Sequence, residues 1–183
     1  MKKYVLGLLP IFLLGCDKKS DNDKSYESFI KETLKNSEGS SKLEIEENLK
    51  LVEREYDILK NELGLIENYE EGILEAKEKG KPILLWFSKL NRVNTGIIKP
   101  NFLIQNKIIF QTLKESYITV RIFVDPMQKE EKWRKFQQEM YNSSIQPYYY
   151  ILDKEGKQIT NGMDIEEAKL RLEDELIKHN MRK

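Results

Sequence analysis

Between residues 43 and 63 the apolar side chains Ile45, Leu49, Val52, Tyr56, Leu59 and Leu63 recur at alternating steps of four and three, with charged residues between them. That spacing predicts an amphipathic helix, and Gly64 is placed to end it. A coiled-coil seam has the same spacing, but only about three heptads are present, and Leu51 and Ile58 widen the stripe. A helix packed on the body of the protein and a self-associating helix both fit. A second helix is predicted from Tyr69 to Lys79, stopped by Gly80 and Pro82. The run "ILLWFS" at 83–88 is almost continuously apolar, the pattern of a strand covered on both faces at the centre of a sheet. Residues 101–115 return to helical spacing through Phe102, Ile108, Ile109, Phe110 and Leu113. "YITVRIFVD" at 117–125 alternates and is β-branched, so a second strand is predicted there. A helix over 128–142 would point Trp133, Phe136 and Met140 inward. "PYYYILD" at 147–153, the "KEGK" turn and "QIT" predict a β-hairpin, and a charged helix over 164–178 follows. Successive tyrosines at 148, 149 and 150 must alternate faces, which predicts one or two of them exposed. The order is that of an α/β protein whose first two strands run parallel through a helical crossover.

The first residues stand outside this pattern. "MKKYVLGLLPIFLLGC" opens with Lys2 and Lys3, continues apolar from Tyr4 to Leu14, and reaches Gly15 and Cys16. Charge, a short hydrophobic core and a small residue before a cut are the layout of a secretory signal. The ending Leu13-Leu14-Gly15-Cys16 resembles the lipobox of bacterial lipoproteins. The resemblance implies cleavage before Cys16, a diacylglycerol thioether on its sulfur, and acyl chains holding the protein to a membrane of the cell envelope. Residues 1–15 are then a signal peptide and 16–42, rich in Asp, Lys, Ser, Asn and Glu, a tether. Asp21 and Asp23 read as part of that solvated tether rather than as metal ligands. Cys16 is the only cysteine of the 183 residues, so a lipidated protein keeps no free thiol. Formal net charge is zero, so no general attraction to nucleic acid or acidic lipid is implied. Losing Lys2 and Lys3 leaves the remainder slightly acidic.

"GKPILLWF", "YITVRIFVD" and "NSSIQPYYYILDKEGK" together resemble the thioredoxin superfamily, nearest the thioredoxin-like periplasmic domain of transmembrane thiol:disulfide interchange proteins. The resemblance covers roughly residues 67–178. It implies a thioredoxin-like fold, a central mixed sheet flanked by helices, over 67–183, with 43–66 as a helical extension. It also implies a cis-proline at Pro147 and a redox loop of the form Cys-x-x-Cys after the 83–88 strand. Arg92 and Thr95 occupy the two cysteine positions, with Val93 and Asn94 between them. Pro100 follows where related chains continue a helix, so that helix is either broken or begins later. Peptide recognition in this fold uses the segment before the cis-proline, which points to Ile145 and Gln146 here, with Arg92 across the groove.

A glycine-rich phosphate loop, a paired-cysteine metal site and a Ser-His-Asp arrangement are all absent from the sequence, and no cofactor or metal is implied. His179, the only histidine, reads as a solvated residue at a helix end. Trp86 reads as core. Disulfide exchange needs an attacking thiolate and a resolving thiol; arginine offers neither, and threonine would need an activating base. The expectation is a non-catalytic, lipid-anchored module that holds an extended peptide or an envelope protein. Two alternatives stay open: an accessory component of a thiol-disulfide pathway, and a structural module that homodimerises through the 43–63 helix.

Overall fold

The apolar run 83–88 is β1 (Ile83–Ser88), with every residue buried and a partner strand on each side. A computed structural model describes residues 42–88, 101–124 and 131–180. Its elements are α1 (Lys42–Leu63), α2 (Tyr69–Lys79), β1, α3 (Phe102–Gln105), α4 (Lys107–Ser116), β2 (Ile118–Phe123), α5 (Glu131–Tyr141), β3 (Tyr148–Leu152), β4 (Met163–Asp164) and α6 (Ile165–Asn180). The sheet order is β2-β1-β3-β4. β1 and β2 run parallel with Trp86 beside Arg121, while β1 and β3, and β3 and β4, are antiparallel.

Local chemistry places the helix ends. Asn68 caps α2 by accepting the Glu71 N–H at 3.0 Å, and Gly80 closes it at φ 64° with its N–H on the carbonyls of Ala76 and Lys77. Gly72, inside α2, is required by packing: a β-carbon there would overlap the Val120 side chain of β2. Asp164 ends β4 and caps α6, its Oδ1 accepting the N–H groups of Glu166 and Glu167.

Both faces of the sheet are covered. Leu84, Trp86, Tyr149 and Ile151 face a core closed by Leu59 and Leu63 of α1, Leu103 of α3, Leu113 of α4 and Leu172 of α6. Ile83, Leu85, Phe87, Tyr150 and Leu152 face the other, closed by α2 and by Trp133 and Phe136 of α5. This two-sided cover corrects the expectation of exposed tyrosines. Tyr149 and Tyr150 are both 2% exposed, one in each core, and Tyr148 is half-buried.

Three further expectations are revised. The single helix over 101–115 is two helices, because Asn106 adopts an extended conformation between them and caps the second through the N–H groups of Ile108 and Ile109. The return strand of the hairpin is not 158–160. Thr160 Oγ1 takes the Ile151 N–H in place of a main-chain carbonyl, leaving one isolated bridge at Gln158, and pairing with β3 resumes at Met163. On α5, Gln137 is wholly buried beside the inward Trp133 and Phe136, while Met140 is 61% exposed.

One edge of the sheet is finished by the chain leaving α1. Ile66 donates to the Thr119 carbonyl and accepts from the Arg121 N–H, a single parallel bridge beside β2. The next residue, Glu67, meets Arg121 on the sheet face under α1. Both side chains are buried, at 4% and 8% exposure, and they form an ion pair through Arg121 Nη2 and Nε. Tyr56 and Lys60 of α1 reach the other carboxylate oxygen at 2.9 and 3.1 Å. The guanidinium lies 4.3 Å from the Phe123 ring centre, 5.2 Å from that of Tyr56 and 5.4 Å from that of Trp86, close enough for cation–π attraction.

Burial raises the Glu67 pKa, but the Arg121 charge and hydrogen bonds, helped by Lys60 and Tyr56, outweigh it and hold the carboxyl below its ordinary 4.5. A carboxyl depressed on folding adds stability above its unfolded pKa, and that stability is lost as pH falls through the lower folded value. Urea titrations should therefore show stability declining below pH 4.5. Arg121→Ala should remove about 3 kcal/mol at neutral pH, because it takes the buried guanidinium from a buried carboxylate and leaves it the partly exposed Lys60 and the Tyr56 hydroxyl. Arg121→Met with Glu67→Gln should recover part of that loss; a double variant no better than the single one would exclude a stranded charge as the cause.

Candidate functional site

Beyond the last pair of the β1–β3 ladder, Phe87 with Tyr148, the antiparallel register sets Pro147 opposite Ser88. The segment entering β3 thus lies beside the end of β1, where residues 89–100 begin. Arg92, Thr95 and Pro100 fall outside the described residues, as does Cys16. Pro147, Ile145 and Gln146 are within them. The Gln146–Pro147 peptide bond is cis, and Ile145 is 54% exposed.

The segment is held from below by α5. That helix ends where Asn142 turns left-handed at φ 48°, its N–H on the Gln138 carbonyl. Gln137 then binds the segment with both ends of its amide. Its Nε2 donates to the Ile145 carbonyl at 2.9 Å, and its Oε1 accepts from Gln146 Nε2 at 2.8 Å. Ser143 Oγ accepts the Ile145 N–H at 3.3 Å. Both main-chain groups of Ile145 are engaged internally, so what this residue presents outward is its side chain.

An aromatic cluster flanks the segment in the chain, through Tyr141 before it and Tyr148 after it. The Tyr141 and Tyr150 ring centres are 4.4 Å apart, Phe87 stands 5.5 Å from Tyr141, and Tyr148 stands 5.2 Å from Tyr150. The Tyr150 hydroxyl donates to the Tyr141 carbonyl. Burial, with the neighbouring Tyr148, pushes the Tyr150 pKa up to about 12, and burial with Tyr69 and Tyr150 raises that of Tyr141. These phenols stay protonated at neutral pH.

On the opposite sheet face, Trp86 Nε1, Ser88 Oγ and Thr119 Oγ1 are buried with no hydrogen-bond partner among the described residues. Trp86 is core, as expected, stacked 5.9 Å from Tyr149. His179 is not solvated, contrary to expectation. It continues the inward stripe Ala168, Leu172, Leu176 of α6, its side chain is 6% exposed, and its Nε2 lies 3.4 Å from Glu175 Oε2. Among the described residues no group of His, Cys, Asp and Glu could hold a metal ion, and no helix is long and apolar enough to cross a membrane. The arrangement around Pro147 combines an exposed apolar side chain, Ile145, with a main chain braced by Gln137 and Ser143.

Sequence reasoning passed over Gln137, Ser143 and the Glu67–Arg121 pair. A signal existed for two of them: Gln137 shares the stripe of Trp133 and Phe136, and Arg121 falls on an inward position of an alternating strand.

Among the described residues, a four-stranded β2-β1-β3-β4 sheet in which β1 runs parallel to β2 and β3 runs antiparallel to both its neighbours, with helices on both faces and a cis-proline entering β3, is a thioredoxin-like fold. The chain is similar to a solved structure titled "DsbH Oxidoreductase", with 21% identity over 62% of this chain and 83% of that one, at a TM-score of 0.43. No protein-family model matches the sequence, and no curated protein matches it.

Gln137→Leu keeps the volume roughly and removes both bonds, leaving the Ile145 carbonyl without its donor. It should cost about 1–3 kcal/mol in urea unfolding and shift the amide resonances of residues 145 and 146 most. Unchanged resonances there would show that Gln137 does not hold the segment.

Proposed function

We propose that the protein is a lipid-anchored, redox-inactive thioredoxin-like module of the bacterial cell envelope that holds an extended peptide or a partner protein beside Pro147. One observation carries the reading: the thioredoxin-like body contains no cysteine, since the chain's only one is Cys16, yet the segment before the cis-proline is braced and presents Ile145 outward. Without sulfur, neither half of a dithiol exchange is available. Arg92 and Thr95, at the positions the resemblance assigns to the two cysteines, supply a cation and a hydroxyl instead. With the main-chain groups of Ile145 engaged, the contact with a partner runs through its apolar side chain and through Gln146. Arg92 then favours a carboxylate on the bound segment.

Lys2, Lys3, the apolar run to Leu14 and the Leu-Leu-Gly-Cys ending support anchoring through Cys16. Self-association through 43–63 competes less well as a reading, because Leu59 and Leu63 of that helix are buried against the chain's own sheet.

A soluble form beginning after Cys16 should reduce insulin no faster than a protein-free blank; turnover that survives repurification would end the redox-inactive reading. In intact cells, crosslinked partner yield should fall several-fold for Arg92→Glu and for Ile145→Asp, both folded by circular dichroism. Undiminished capture by both would place binding elsewhere. Mass spectrometry of the native protein should find an acylated Cys16 as the first residue, and an unmodified Cys16 within an uncleaved chain would refute the anchor.

A further inference from the structure

The short helix α3 has an N-terminal cap assembled from two distant parts of the chain. Asn101, its N-cap, accepts the Leu103 N–H through Oδ1 at 3.0 Å. In a capping box, a Glu or Gln three residues further on reaches back to the N–H of the N-cap residue itself. Here that later position is Ile104, which has no acceptor. The role is taken by Glu55 of α1, whose Oε1 accepts the Asn101 N–H at 3.0 Å from 46 positions away. Burial pushes the Glu55 carboxyl above its ordinary value, although the Asn101 bond works in the other direction.

A four-residue helix has almost no stability of its own, since nucleation is unfavourable and few bonds follow it. α3 is nonetheless part of the core. Leu103 is wholly buried, and the Phe102 ring stands edge-on to Tyr149 at 5.4 Å. Tyr149 is two residues beyond Pro147 in β3 and stacks on Trp86. The end of α1 is fixed by Leu59, Leu63 and the Tyr56 and Lys60 contacts with Glu67.

We infer that Glu55 is a positioning residue: from α1 it completes the capping box of α3, and so makes docking of the N-terminal helix a condition for the Phe102–Tyr149 wall behind the cis-proline strand. The coupling to peptide binding rests on the function proposed above; the capping role does not. If both hold, docking of α1 and occupancy of the groove strengthen one another, because linkage between two sites is reciprocal. A partner at the groove and the segment preceding α1 would then act on a common element.

The test compares the soluble chain from residue 17 onward as wild type, Glu55→Ala and Glu55→Gln. Amide hydrogen exchange is read at Asn101 and at residues 103–106, with residues 168–176 of α6 as internal control. Glu55→Ala should speed exchange at the α3 amides about tenfold, the effect expected of losing a cap, and leave α6 unchanged. Glu55→Gln, which still offers an acceptor oxygen, should exchange like wild type. Equal α3 rates in wild type and Glu55→Ala overturn the capping role. The probe for coupling is a seven-residue peptide of alternating valine and threonine with a free C-terminal carboxylate, followed by NMR at residues 145–150. Binding several-fold weaker to Glu55→Ala than to wild type is expected, and equal binding overturns the coupling. Binding to none of the three proteins overturns the groove reading and the coupling with it, while the exchange rates still decide the capping role.

Discussion

An arginine on an inward position of a strand must be neutralised where it stands, because a guanidinium cannot shed its proton and its burial without a counter-charge is prohibitive. Arg121 sets that condition for the whole N-terminal side of this fold. It lies beside Trp86 in the parallel ladder, so its head emerges on the face that α1 covers. Glu67 supplies the carboxylate, and it can do so because Ile66, one residue earlier, is bonded to β2 on both sides of Val120. The chain leaving α1 is therefore pinned at the sheet edge, and the last turns of α1 follow, with Tyr56 and Lys60 completing the carboxylate's partners. Replacing such a pair by apolar groups is often neutral for stability, whereas breaking it is not. Its consequence here is register: it settles where α1 lies, and with it the positions of Leu59, Leu63 and Glu55.

The cis-proline segment shows the same logic at smaller scale. A wholly buried glutamine is costly unless both ends of its amide are satisfied. Gln137 satisfies them on Ile145 and Gln146. In doing so it fastens to α5 the stretch that the thioredoxin-like fold places beside the end of β1. The rings of Phe87, Tyr141 and Tyr150 pack against one another beside it, and the hydroxyls of the two tyrosines remain protonated. The polar groups of the described part of this site are amides, hydroxyls and main-chain atoms. None of these bonds and ring contacts involves sulfur, so the bracing of the cis-proline segment does not depend on cysteines in the neighbouring loop.

Much of the architecture could be read from periodicity. α2 and β1 match their predicted bounds, and the parallel β1–β2 crossover is as expected. These elements carry their own instructions: Asn68 and Gly80 cap α2, and an unbroken apolar run has no stable place except the middle of a sheet. The misreadings share a cause, which is that a residue's partner lay elsewhere in the chain. Asn106 looked like an interior helix position but serves as a cap. Thr160 looked like a strand residue but lends its hydroxyl to the β3 ladder. His179 looked like a frayed end, yet α6 continues far enough to turn it onto the core.

What the amino-acid sequence determined by itself is whatever a residue type decides locally. It set the order of elements, the absence of cysteine after Cys16, and the proline that could take the cis form ahead of β3. Only the tertiary structure decided which neighbours those residues would meet. Gln137 rather than Met140 faces inward, Tyr149 and Tyr150 are both hidden, and Glu55 caps a helix 46 positions away. Periodicity specifies a face but not what covers it. The bonds of Glu67 with Arg121 and of Glu55 with Asn101 span 54 and 46 positions, those of Gln137 only eight and nine. In each case the partner becomes visible only when the fold has brought donor and acceptor within hydrogen-bonding distance.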